Sequence, residues 1–291
     1  MNLKTALVNG LKIVALTIIM FICFAIAAGV VGMESDPAQT QAAQARAALL
    51  LLFVCFMNSL VLSYLILRSR WHGVKLMAKI FFVFYGVMTV MAQIESAVFI
   101  TKLPSGTLPK LFVMGILVAA PFSILAVLVL GKRKAAASAE QIAHAAMPLR
   151  EWAWKLGALV LAYVVLYFTF GYFIAWQNPA VREYYGGGEL RGFFAHMSDV
   201  LRNQTWLVLL QMLRGLMWIA LALPVIRTMK GARWEAALAV GLLFAVTMSA
   251  WLLLPNPYMP ESVRMSHMLE VATSNFLFGG LTAWLLAQRE D

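Results

Sequence analysis

The chain has 291 residues, of which 62% are hydrophobic and 12% charged, with a net charge of +10 and a mean hydropathy of +0.81. Soluble domains carry about 25% charged residues, so these values exclude a water-soluble globular domain and point to an all-α integral membrane protein. The positive charge needs no nucleic-acid partner, because it is confined to one set of loops.

A bilayer core takes ~20 apolar residues per helix. Eight windows meet that length: 13–32, 47–67, 80–101, 111–130, 156–176, 205–226, 236–254 and 268–287. The short alternating segments of a porin-like barrel are absent. Taking alternate loops from the N-terminus, segments 1–12, 68–79, 131–155, 227–235 and 288–291 hold 15 Lys/Arg and 5 Asp/Glu, whereas 33–46, 102–110, 177–204 and 255–267 hold 7 and 6. That asymmetry is the positive-inside signature. It predicts about eight transmembrane helices with both termini cytoplasmic, in an inner or plasma membrane. Clusters such as Lys132-Arg133-Lys134 are then topology anchors beside anionic lipid head groups.

In chain order, the first window follows Lys4 and Lys12 and contains Ala25-Ile26-Ala27, which imitates a signal peptide. Its uncharged run is longer than an h-region of about 7–15 residues, so an uncleaved helix is expected. Cys23 and Cys55 both lie in apolar windows and imply packing rather than a disulfide framework. Pro121 is expected to kink the fourth helix, with neighbours satisfying the freed carbonyl. Segment 131–155, with AAASAEQIAHAA at its centre, favours a solvated helix and divides the single polytopic domain (1–291) into two groups of four helices. The aromatic series Tyr163, Tyr167, Phe168, Phe170, Tyr172, Phe173 and Trp176 reads as a belt suited to lipid or protein contact. In the long outer loop, Tyr184-Tyr185-Gly186-Gly187-Gly188 gives a flexible break. Leu190, Phe193, Phe194, Met197 and Leu201 then recur at helical spacing, predicting an amphipathic helix in the outer interface, either a connector or a lid. Pro255, Pro257 and Pro260 force a stiff turn before the eighth helix. No internal repeat is evident.

Three firm charges fall inside the windows: Glu95, Arg214 and Glu270. Counted from the window ends, they sit roughly 9, 14 and 5 Å below the outer helix ends. A mid-helix charge costs about 2.5–3.5 kcal/mol on translocon scales, so the three are expected to face inward and pair. Gln211 lies one turn from Arg214, and Gln93 is close to Glu95. His267, Glu270 and Ser274 share a helix face, Asn275 lies at its edge, and Arg264 and Glu261 extend it if the helix starts early. Residues 265–279 therefore read as one wall of a polar pocket in the outer half of the bilayer. The bland alternative is a register-fixing Arg–Glu pair with Ser and Asn as interhelical glue, and Gly279, Gly280 and Ala283 as close-packing residues.

His196-x-x-Asp199 and His267-x-x-Glu270, with Glu95, could supply ligands to a divalent metal, although their order differs from the usual Glu-x-x-His of helical di-metal sites. No cofactor is otherwise expected. His-Glu-x-x-His, Gly-x-Ser-x-Gly and the P-loop pattern are all missing. Three function classes remain. The leading one is a small-solute or proton-coupled transporter with Glu95 and Glu270 as proton or cation sites. The second is an enzyme acting on a lipid or isoprenoid head group, with Glu270 or Glu95 as base, His267 as acid/base and Arg214 or Arg264 holding an anion. The third is an assembly or sensor subunit without chemistry. The partners these imply are membrane lipid, a small-molecule or lipid ligand, and a protein partner or second copy of the chain.

Overall fold

The computed structural model describes residues 3–33, 40–100, 103–134 and 147–287. The segment expected to form a solvated helix around AAASAEQIAHAA lies largely outside the described residues. Among those described there is no strand, only an isolated antiparallel bridge between Ser69 and Met229.

The helices are α1 (Leu3–Val31), α2 (Gln41–Arg68), α3 (Gly73–Tyr85), α4 (Ala92–Phe99), α5 (Thr107–Val129), α6 (Leu149–Phe170), α7 (Pro179–Tyr184), α8 (Phe193–Asn203), α9 (Thr205–Thr228), α10 (Arg233–Ser249) and α11 (Glu261–Leu286). A π-helical stretch, Gly86–Met91, joins α3 to α4 in one rod, and a second, Gly171–Ala175, extends α6. A 3₁₀ turn, Ala250–Leu253, closes α10. Among the described residues, seven helices are long and apolar enough to cross a bilayer: Leu7–Val31, Gln41–Arg68, Gly73–Phe99, Thr107–Val129, Leu149–Ala175, Thr205–Thr228 and Arg233–Leu253. That is the build of a multi-pass membrane protein. α11 is 26 residues long, but Glu261, Arg264, His267, Glu270 and Asn275 leave it too polar to count by apolarity alone.

Several helices begin well before their apolar windows: α2 at Gln41, α6 at Leu149 and α11 at Glu261. Apolarity marks where lipid begins, whereas backbone hydrogen bonding continues through charged turns until a cap stops it. Thr40 is such a cap, its hydroxyl accepting from Ala43 N at 3.2 Å. α5 runs through Pro121 and α9 through Pro224. The two π-helical stretches have no apolar signature and were not foreseen.

Closest packing joins α10 to α11. A Cβ on Gly279 would lie 2.7 Å from Val240 O and 3.0 Å from Gly241 Cα, so only hydrogen fits there. Ala283 is fully buried. Gly280 is looser, with Ala237 O at 3.7 Å from its ideal Cβ. The centre is filled by Trp218 against Phe244, ring centroids 4.4 Å apart, and by Phe84 against Phe122 at 5.6 Å.

The connecting segments gather into two opposite groups. In one, Arg70 N donates to Thr228 O at 2.7 Å, Lys230 N to Arg68 O at 2.8 Å and Gly73 N to Lys132 O at 2.9 Å. Arg233 reaches the Trp284 carbonyl near the end of α11. In the other, Asn178 Nδ2 donates to Ser266 Oγ at 2.8 Å, Tyr184 OH to Tyr258 O at 2.9 Å, and Arg46 pairs with Glu261 at 3.5 Å. α11 thus runs from the second group to the first.

Candidate functional site

The charged residues of the apolar helices come together from α4, α9 and α11. Arg214 is 1% exposed and reaches Glu95 on α4 through one guanidinium nitrogen. A second nitrogen donates to Gln211 Oε1 at 2.9 Å. The i, i+3 spacing on α9 stacks Gln211 over Arg214 on one face, which makes this bond available. Two phenol rings from α6 complete the enclosure, Tyr163 and Tyr167, each with its centroid 6.0 Å from the guanidinium carbon. Rings at that distance favour a cation. Tyr163 is held by Trp218, whose Nε1 donates to its hydroxyl at 3.1 Å.

Alongside lies a hydrogen-bonded chain on α11. His267 Nδ1 is 2.7 Å from Glu270 Oε2, again at i, i+3 spacing. The other ring nitrogen, Nε2, meets the Tyr185 hydroxyl at 3.1 Å. Tyr185 follows α7 and packs edge-on to Phe99 at the end of α4, centroids 6.4 Å apart, one helical turn beyond Glu95. Burial raises the Tyr185 phenol above its usual range, and the negative charges of Glu95 and Glu270 add to the effect. The phenol therefore keeps its proton: it donates to Nε2 of the neutral imidazole and accepts from Nε2–H once the imidazole is protonated. Glu270 approaches the π-helical end of α6 closely: its Oε1 lies 3.3 Å from where a Gly171 Cβ would be. π-helical turns often mark functional positions; of the two among the described residues, one meets Glu270 at Gly171 and the other leads directly into the helix that carries Glu95.

α11 starts earlier than its apolar window, so Glu270 lies nine residues, roughly 14 Å, along the helix rather than 5 Å from its start.

The remaining candidates fall in different places. Ser274 Oγ donates back to Glu270 O at 2.7 Å, so its hydroxyl is engaged by its own helix. Asn275 is buried, and Gln93 Oε1 is buried without a hydrogen-bond partner. Arg264 is committed to the 3₁₀ turn after α10, its Nη1 donating to Leu252 O at 2.9 Å and Leu254 O at 2.6 Å. His196 lies on α8 between Tyr172 and Trp176, ring centroids 5.6 and 5.3 Å away. Burial lowers its pKa, partly offset by Asp199. Asp199 Oδ1 accepts from Asn203 at 2.7 Å. Among the described residues no three His, Cys, Asp or Glu side chains gather as a metal cage requires.

Two assignments from the sequence change. Tyr163 and Tyr172, expected in a belt open to lipid or a protein partner, are instead buried at 4% and 7% exposure, and Tyr163 faces the Arg214 guanidinium, which its ring face favours. The i, i+4 spacing of Tyr163 and Tyr167 was the available signal. Tyr185 belongs to the expected flexible break, yet it is half of a contact to α11 that nothing in its local pattern announces.

No protein-family model, curated protein or solved structure matches the chain.

Proposed function

We propose that this is a multi-pass carrier of an inner or plasma membrane that exchanges protons for a small cationic solute at the Glu95–Arg214–His267–Glu270 cluster. α11 is the eighth crossing. Both termini are cytoplasmic on the positive-inside argument, and the group of connections holding Lys132 and Lys230 is the cytoplasmic end. α8 lies in the outer interface, with Phe194 and Leu201 exposed along one side.

The observation that carries the reading is the Tyr185–His267–Glu270 hydrogen-bonded chain beside a fixed Arg–Glu pair. With neutral His267 the cluster holds two carboxylates against one guanidinium, a net charge of −1, and with protonated His267 it is neutral. A proton and a monovalent cation are therefore alternative ways to balance one site. Ionisable groups inside a membrane are costly and are retained mainly for pathways of ions and protons. The test is an imposed inward gradient of sodium, potassium or a small alkylammonium ion on proteoliposomes containing a pH-sensitive dye. Cation entry coupled to proton exit alkalinises the lumen, and Glu270→Gln abolishes the signal. A well-folded wild-type protein that moves no protons with any of these cations contradicts the reading.

A second reading follows from the order carboxylate–imidazole–hydroxyl, which also suits a general base acting on a lipid head group. Mass spectrometry of membrane lipids incubated with the protein separates the two: a changed head group supports the enzyme, and unchanged lipid with proton movement supports the carrier.

A further inference from the structure

At the opposite end of the bundle, Lys79 on α3 is buried, 4% exposed, and among the described residues its charged neighbour is another lysine rather than a carboxylate. Two of its N–H bonds go to hydroxyls, Ser69 Oγ at 2.7 Å and Thr228 Oγ1 at 2.8 Å. A second ammonium converges on the same residue, Lys132 Nζ donating to Ser69 O at 2.7 Å. Lys230 and His72 lie within electrostatic reach of Lys132. Burial, together with Lys132 and Lys230, holds His72 below the usual imidazole range. Among the described residues, the nearby carboxylate of Glu235 is engaged by Arg68.

Topology anchors explain basic residues at the surface, but they need no burial. A desolvated ammonium with hydroxyl partners only, next to another ammonium, is unfavourable, and either loss of its proton or a bound anion relieves it. The backbone is arranged for an anion. The first N–H of α3, on Gly73, is taken by Lys132 O at 2.9 Å, and no side chain caps the other N–H groups of its first turn, so its positive dipole end adjoins this cluster. Gly73 adopts a φ of +55°, and a Cβ there would lie 2.9 Å from Arg133 O, so the segment carrying Lys132 can close over the helix start.

We propose that Lys79, Lys132, Lys230 and the α3 N-terminus form a binding site for a phosphate group. Phosphate presents several strong acceptor oxygens to ammonium and backbone donors, and helix N-termini are suited to it. An anionic phospholipid head group and a free phosphate share this chemistry.

The test uses the full chain in nanodiscs of phosphatidylcholine and reads thermal stability. One arm titrates inorganic phosphate against chloride at equal ionic strength, and the other replaces part of the lipid with phosphatidylglycerol. Stabilisation in the first arm identifies a soluble phosphate site, and stabilisation only in the second identifies a head-group site. In either case Lys132→Ala and Lys230→Ala, both at the surface of the cluster, should each weaken the apparent affinity about fivefold. Lys79→Met should remove the response while keeping the helix intact. If that variant fails to fold, the two surface variants still decide the matter. No stabilisation in either arm, or a response unchanged in the Lys132→Ala, Lys230→Ala double variant, overturns the proposal.

Discussion

Replacing Glu95 by Gln should be one of the most damaging single changes in the helical core. Arg214 has a side chain 2% exposed, and its charge is balanced by Glu95, whose side chain is 29% exposed. Glu95→Gln leaves the guanidinium among the Gln211 amide and two phenol rings, and breaking a buried pair this way costs about 3–5 kcal/mol. Arg214→Met leaves the carboxylate instead. Its partial exposure lets water reach it, so the cost is smaller, about 2–4 kcal/mol. Combining the two removes both charges and should bring stability back to within about 1 kcal/mol of wild type. The signature is therefore a rescue, with a coupling energy above about 2 kcal/mol in a double-mutant cycle. Ordinary interhelical hydrogen bonds in membranes average about 0.6 kcal/mol in such cycles, so the two explanations differ in size. Reversible unfolding in mixed micelles supplies the four free energies. Additive single effects, with coupling at or below the hydrogen-bond average, would refute a charge pair as the element that holds α4 to α9.

Other outcomes follow from particular contacts. Gly279→Ala would press a methyl against Val240 O, 2.7 Å from the ideal Cβ, and should cost about 1–3 kcal/mol in the same unfolding assay. Gly280→Ala, with 3.7 Å available, should change stability by less than about 0.5 kcal/mol. Gly171→Ala would push on Glu270 Oε1, the mobile end of a side chain 3.3 Å away. It should keep the fold while shifting the pH dependence of proton movement, and an unchanged profile would separate Glu270 from that step. His72 lies below its ordinary value of 6.5 in the folded chain, so the unfolded chain binds protons more readily. Its effect is absent above that value and becomes destabilising as pH falls below it. His72→Gln should therefore lose less stability than wild type between about pH 7 and 5 by thermal unfolding.

Much of this architecture was legible in the sequence, because apolarity over helical lengths is a strong signal. Each of the seven apolar spans matches an expected window. The polar start of α11 is where that signal weakens: Glu261 to Glu270 carry enough charge to mask a helix that the backbone forms without interruption. The intramembrane charges were legible as a set, since cost alone argues that Glu95, Arg214 and Glu270 find partners. Their pairing was not, because it depends on helix rotation and on where α11 begins. Tyr185 becomes a partner of His267 only through the folding of the 177–192 segment onto α11, a long-range event without a local pattern. By sequence Lys79 is one more loop cation; its burial follows from Ser69 and Thr228 meeting across two connections far apart in the chain.

On the proposed function, the His267–Glu270 pair trades a proton for a cation. The most direct test is proton release from the purified protein, followed with a pH dye after rapid mixing with saturating sodium, potassium or alkylammonium ion near pH 6.5. The charge balance predicts release of up to about one proton per chain, saturating with cation concentration, and none from Glu270→Gln. Release that persists in Glu270→Gln, or none from wild type with any of the three cations, would contradict it.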